Sequence, residues 1–423
     1  MTSAPGEHSW ITELLLRLLG AGLQILATWA VVHALTPEEA GVYFRGFVIA
    51  LGLGTLLRGK YEIYLAQHII GLRAAATGIP NGLLLIQLAR RMLVGSSLLC
   101  AVLLVVTADL DIQAPQLQTL LQTYLPFVLA VPFVSLSGLV GEALRAANRT
   151  LGIVVAAYAV NVFVLLGVLL APPDSSLAFY SWAFFLGSIV SAGVAAALAW
   201  RALPIAPGEA FLRTRRETLQ GADSRGLIGL ARGLLLWGPL CILAVWAPPI
   251  QVAQYAVAAR TALIVDIFLP ALNLTGSRDT LTAAQPVSDS RSLLLRQLVF
   301  ALAYSSALVV PLLVLASETL KLYGKPYDSQ LTVYALLLGV QWANGVGRPA
   351  VRRVVARWNA RRIGVALASG AVGSMLICGL GVTEYGALAA AAASLIGALL
   401  VNGRAIGMAL HPDGGEWKSE PTI

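Results

Sequence analysis

The stretch LLLRLLGAGLQILATWAVVHALTPEEAGVYFRGFVIALGLGTLL, residues 14–57, decides the fold. It reads as two apolar helices, about 10–34 and about 40–58, joined by the acidic turn Thr36 to Gly41 with Glu38 and Glu39. A helical membrane span takes about 20 predominantly apolar residues, and both runs supply them. Each run also carries an arginine inside it, Arg17 in LLLRLLGAG and Arg45 in VYFRGFVIA. A guanidinium at bilayer depth costs from a few to roughly ten kcal/mol, so by default it faces a cavity or a partner.

The rest of the chain repeats this pattern. It is 58% hydrophobic and 12% charged, with a mean hydropathy of +0.78, whereas a soluble domain is about 25% charged. That composition makes it an integral membrane protein, and its long apolar runs are helical spans rather than the short alternating strands of a barrel. Ten further spans are expected at about 85–107, 119–143, 150–171, 177–200, 226–247, 250–275, 293–316, 329–351, 363–382 and 386–406. The first run is about 25 residues long and others follow it, so it is a retained helix and not a removed signal. One segment, Arg201 to Arg225, is rich in Pro, Gly and charge. It divides the chain into a six-helix bundle over 1–202, a cytoplasmic linker over 203–225 and a second six-helix bundle with a short tail over 226–423.

Basic charge orients these spans, because Lys and Arg accumulate in cytoplasmic loops. Of the 29 Lys and Arg, 23 fall in the loops and tail on one side or at the span ends beside them, and only Lys321 and Lys325 on the other. Arg17, Arg45, Arg232 and Arg260 remain inside spans. Both termini are therefore expected to be cytoplasmic. The same distribution explains the net charge of +8, and a pI near 9.6, as topology and membrane lipids require, with no nucleic-acid partner.

Other chemistries are poorly supplied. Cys100, Cys241 and Cys378 stand singly in apolar runs, and His8, His33, His68 and His411 sit near helix ends. Neither set has the spacing of a metal site, and no cofactor is expected. There is no phosphate-cradling G-x-x-x-x-G-K-[ST] loop. The expected loops on the Lys321 side are short, and no acidic cluster has metal-ligand spacing, so an enzyme such as a membrane glycosyltransferase or polymerase is disfavoured.

The two halves resemble each other. Pro37-Glu-Glu-Ala-Gly-Val-Tyr43 aligns with Pro249-Ile-Gln-Val-Ala-Gln-Tyr255 at an offset of 212 residues, and the same offset carries Gly152-Ile153 onto Gly364-Val365. An asparagine in a basic loop, Asn148 or Asn359, precedes the second match in each half. With six spans per half, the halves would share one orientation and be related by an axis along the membrane normal.

Twelve helices in two pseudo-symmetric bundles around a central cavity resemble the multidrug/oligosaccharidyl-lipid/polysaccharide (MOP) exporters. So do the T-P-E-E-A-G-V-Y turn at 36–43, the A-L-R-A-A-N-R-T stretch at 143–150 and the Y-A-V-A-A-R stretch at 255–260. Within that group the chain is most similar to the flippases of undecaprenyl-pyrophosphate-linked sugars. The resemblance implies an inner-membrane flippase for a polyprenyl-diphosphate-linked oligosaccharide, working beside a polysaccharide polymerase and glycosyltransferases. It also implies that Arg17, Arg45 and Arg260 meet the pyrophosphate. The alternative within the same group is a drug/cation antiporter.

The residues give that chemistry a physical basis. Guanidinium forks bind phosphate oxygens bidentately, stay charged and are weakly hydrated. At 1.5 Å rise per residue, Arg260 lies about 15 Å into its span, Arg45 roughly 8 Å from the outer side, and Arg17 and Arg232 in the cytoplasmic third. Substrate-binding candidates are thus Arg17, Arg45, Arg260 and Arg232; candidates for ion coupling or gating are Asp266, Glu13 and Glu142. Asp266 is expected to pair with Arg232 on the neighbouring helix, or else to take up a coupling ion, and Glu142 to pair with Arg145; the alternative to cavity lining for Arg17 is a local pair with Glu13. Four arginines against so few carboxylates favour an anionic ligand over a cationic drug.

Overall fold

The computed structural model describes residues 9–74, 81–109, 114–146, 150–172, 175–203, 210–269, 287–357 and 360–410. The first half comprises α1 (Ser9–Ala34), α2 (Pro37–Ala74), α3 (Asn81–Asp109), α4 (Ala114–Ala146), α5 (Thr150–Leu170) and α6 (Leu177–Ala202). The second begins with α7 (Ala210–Trp246), α8 (Pro249–Ala262) and its short continuation α9 (Ile264–Phe268). It continues through α10 (Val287–Val314), the small α11 (Ala316–Lys321) and α12 (Lys325–Asp328), α13 (Leu331–Arg357), α14 (Ala360–Tyr385) and α15 (Ala387–Leu410). With α8 and α9 taken as one interrupted rod, each half has six long rods.

Among the described residues, ten helices are long and apolar enough to cross a membrane. The other two rods are α5 and α13. The apolar stretch of α5 that can be assessed, Tyr158–Leu170, is short. Helix α13 carries Gln341, Asn344, Arg348, Arg352 and Arg353 along its length, which lowers its hydropathy below that of its neighbours.

Local sequence explains where helices start. Thr36 and Glu39 form a capping box: the Glu39 amide donates to Thr36 Oγ1 at 3.3 Å, and the Thr36 amide donates to Glu39 Oε2 at 3.0 Å. This satisfies backbone donors that the first turn of α2 leaves free. Helices α2 and α8 both open on a proline, where a missing amide hydrogen costs nothing. Those prolines, Pro37 and Pro249, are the 212-residue match, and the paired Tyr43 and Tyr255 are both buried.

Three boundaries differ from the sequence reading. Helix α2 continues past residue 58 to Ala74, because no proline intervenes before Pro80. Helix α7 starts at Ala210 and runs through much of the segment read as a linker; its helix breakers, Pro204 and Pro207, lie before that start. The span read as 250–275 breaks at Leu263, where the Asp266 amide donates to the Leu263 carbonyl at 3.0 Å, a tighter i→i+3 turn.

In the first half α4 packs between α2 and α6, with Tyr43, Phe44, Phe127 and Phe184 filling the core. Tyr43 and Phe127 meet edge to face with ring centroids 5.3 Å apart, a favoured aromatic geometry. In the second half α14 packs on α7 and α15, and α13 on α15 and α10. The halves meet along two seams: α2 against α7 and α8, and α1 against α8 and α9. Two glycines set the first seam. A side chain at Gly41 would overlap the Pro249 backbone, and one at Gly59 would crowd the Gly229 carbonyl, so the chains touch near both ends of the assembly. The end where α1 turns into α2 is here termed the turn end, and the opposite one, carrying Arg58, Arg145 and Arg232, the basic end.

Candidate functional site

The arginines occupy separate stations along the seams between the halves. Arg260, on α8, reaches across to the first half. Its Nη1 donates to Thr28 Oγ1 on α1 at 2.7 Å, and its guanidinium lies 3.9 Å from the ring centroid of Phe47 and 5.5 Å from that of Phe44, both on α2. Thr28 is held in turn by its bond to the Gln24 carbonyl at 2.7 Å. Nearby, Thr261 Oγ1 donates to Tyr323 Oη at 3.1 Å. Arg260 forms no ion pair among the described residues. One hydrogen bond and two aromatic faces leave most of its five N–H donors for a ligand.

Arg45 stands nearer the turn end. Its Nη2 donates to the Ala247 carbonyl, between α7 and α8, at 2.7 Å, and Tyr124 lies beside it. Its Nε is buried without a hydrogen-bond partner among the described residues. Trp29 Nε1 makes a second crossing there, donating to the Leu322 carbonyl at 3.0 Å. The turn end is therefore tied between halves by α1, α2, the α7–α8 junction and the segment after α11.

The basic end gathers the remaining candidates. Asp266 Oδ1 lies 3.8 Å from Arg348 Nη2 on α13, and Arg17, Arg232 and Arg352 are close enough for their charges to act on Arg348. Arg17 and Asp266 both act on Tyr158 of α5. Arg232 does not pair with Asp266; its Nη1 lies 3.7 Å from Glu62 Oε1 on α2. The Asp266–Arg232 expectation fails: Asp266 faces Arg348 of α13, and Arg232 meets Glu62 of α2 instead. Glu142 does bond Arg145, with Nε donating to Oε2 at 2.6 Å. Glu13 falls on α1, but its side chain lies outside the described residues.

Two participants were not singled out from sequence. Arg348 lies at the end of the span expected over 329–351, where Gln341, Asn344, Arg348 and Arg352 recur at helical spacing and mark one polar face. Glu62 lay in a stretch read as a loop.

This architecture recurs in solved structures. The lipid II flippase MurJ, in an inward closed conformation, superposes with a TM-score of 0.70 at 12% identity, over 94% of this chain and 87% of that one. The chain has the fold of the MOP exporters. A multidrug-resistance MATE family transporter of the MOP superfamily, facing inward, matches with a TM-score of 0.60 at 12% identity over 95% of this chain and all of that one. A MOP transporter from Pyrococcus furiosus gives 0.60 at 10% identity, over 94% and 93%. No protein-family model matches the chain, and no curated protein does so at significant similarity. The MOP fold accounts for the six-rod halves and for the seams on which the arginines stand.

Proposed function

We propose that the chain is a flippase that carries a polyprenyl-diphosphate-linked oligosaccharide across the inner membrane by alternating access. In this reading the bundle over 1–202 and the bundle over 226–423 rock about the substrate, both termini are cytoplasmic, and the product feeds cell-surface polysaccharide synthesis. The observation that carries it is Arg260. This guanidinium, deep in a span, is held by a hydroxyl and two aromatic rings from the opposite half, with no carboxylate paired to it among the described residues. An unneutralised fork at the seam attracts a diphosphate and repels a cation. The arginines toward each end, Arg45 on one side and Arg17, Arg232 and Arg348 on the other, give an anionic headgroup successive stations.

The mechanism asks little of covalent chemistry. The headgroup is drawn in at the basic end, where Asp266 holds Arg348 in its absence. It passes to Arg260, and the halves then part at the turn end while the lipid tail stays in the bilayer. A MATE-like drug antiporter shares the fold, but its cationic substrates would meet this row of arginines unfavourably.

The test is reconstitution in proteoliposomes with a fluorescent polyprenyl-diphosphate sugar. Faster movement between leaflets than in protein-free vesicles, unmatched by the monophosphate analogue, is expected. Equal rates for both lipids, or transport only of cationic dyes, would overturn the reading.

A further inference from the structure

One buried carboxylate has no part in substrate binding. Glu62, on α2 just beyond Gly59, is only 12% exposed and lies 3.2 Å from Arg58 Nε on its own helix and 3.7 Å from Arg232 on α7. It therefore bridges the two halves. The bridge sits where their backbones touch, because Gly59 abuts the Gly229 carbonyl less than one turn away. The charged groups acting on it are Arg58 of α2, Glu142 and Arg145 of α4, and Arg232 of α7; none comes from α3 or α6 among the described residues.

We propose that Glu62 is a proton-binding latch between the halves: charged, it ties Arg232 to α2, and on taking up a proton it frees that arginine and lets the α2–α7 seam open at the basic end. The step is a simple protonation. Water at the basic end supplies H⁺, the carboxylate becomes a carboxylic acid, and the ion pair across the seam is lost. Arg232 is 63% exposed, so solvent reaches the pair from its side.

The electrostatics agree with this. Burial raises the carboxyl above its usual range, and the neighbouring Glu142 charge adds to that, against the opposing pull of Arg58, Arg232 and Arg145. A raised carboxyl holds its proton at milder acidity than a solvated one. In the closed seam the Arg232 charge pulls the carboxyl down; opening removes that pull while Glu62 stays buried beside Arg58, so the open state binds the proton more tightly and acid favours it.

The latch rests on the alternating-access part of the function proposed above, and not on the substrate. Spin labels at Trp200→Cys on α6 and Gly403→Cys on α15, both exposed and in opposite halves near the basic end, report the separation. The free thiols Cys100, Cys241 and Cys378 are replaced by alanine. In lipid nanodiscs the distance should lengthen on acidification. Glu62→Gln should give the longer distance at neutral pH with no acid response. Glu142→Gln, which removes a nearby negative charge, should move the acid midpoint to lower pH, and it serves if Glu62→Gln fails to fold. A response that persists in Glu62→Gln, or a midpoint that stays put or rises in Glu142→Gln, overturns the proposal. So does a distance indifferent to acid. If a polyprenyl diphosphate moves the labels where acid does not, only the latch fails; if neither moves them, alternating access fails as well.

Discussion

Arg260 and Thr28 join the two halves at mid-depth: the guanidinium of α8 donates to the hydroxyl of α1 at 2.7 Å. The bond ties the residue that would hold the ligand to the seam that would move around it. Replacing Arg260 with lysine keeps the charge and loses the fork. Forfeiting one charge-assisted bond costs about 1.5–3 kcal/mol, which corresponds to a roughly ten- to hundredfold slower step. Transport by Arg260→Lys should fall by that factor and Arg260→Ala should abolish it, with both proteins running as wild type on size exclusion. Full activity in the lysine variant would show that geometry at this position is irrelevant.

Thr28→Val keeps the shape and removes the acceptor. Thr28 is fully buried, so Arg260 loses a partner that water cannot readily replace. A loss of about 1–3 kcal/mol is expected, read as a lower melting temperature in detergent. Diphosphate lipid should restore part of it by supplying new acceptors, and a melting temperature equal to wild type would rule out the bond as a structural tie.

Gly41 tests closure of the turn end. A Cβ there would overlap the Pro249 backbone, which cannot move aside as a side chain can. Gly41→Val should hold that end apart and stop turnover while leaving ligand binding intact. Cysteine accessibility at Ala247, which is buried and accepts the Arg45 bond across the same end, should rise in the variant. Unchanged accessibility with normal transport would mean that the contact plays no part in the cycle.

Asp266 is the resident anion of Arg348. If it holds that arginine for an incoming phosphate, Asp266→Asn should strengthen stabilisation by inorganic pyrophosphate in thermal-shift titrations, and Arg348→Gln should weaken it. Both variants titrating like wild type would remove this pair from the ligand path.

The architecture was legible in the sequence wherever a property is additive along the chain. Apolar run length set the spans, and the 212-residue offset paired Pro37 with Pro249 and Tyr43 with Tyr255. What could not be read was direction in space. The break at Leu263 has no glycine or proline to announce it, and nothing along the chain marks that Asp266 meets Arg348 and not Arg232. Glu62 was invisible for a different reason: helix α2 outlasts its apolar segment, so a carboxylate that looks like part of a loop is carried as helix into the seam with α7. Arg260 stood out from sequence because depth is additive; its aromatic holders Phe44 and Phe47 come from a helix more than 200 residues away.

The central claim is that the seam holds an anionic diphosphate on Arg260, and retention of that lipid by the purified protein tests it most directly. Native mass spectrometry of wild type and Arg260→Ala, each offered polyprenyl diphosphate, polyprenyl monophosphate and a cationic dye, gives the comparison. Wild type should retain the diphosphate selectively, and Arg260→Ala should lose it. Dye retained by both proteins, with the diphosphate bound equally well without Arg260, would contradict that claim.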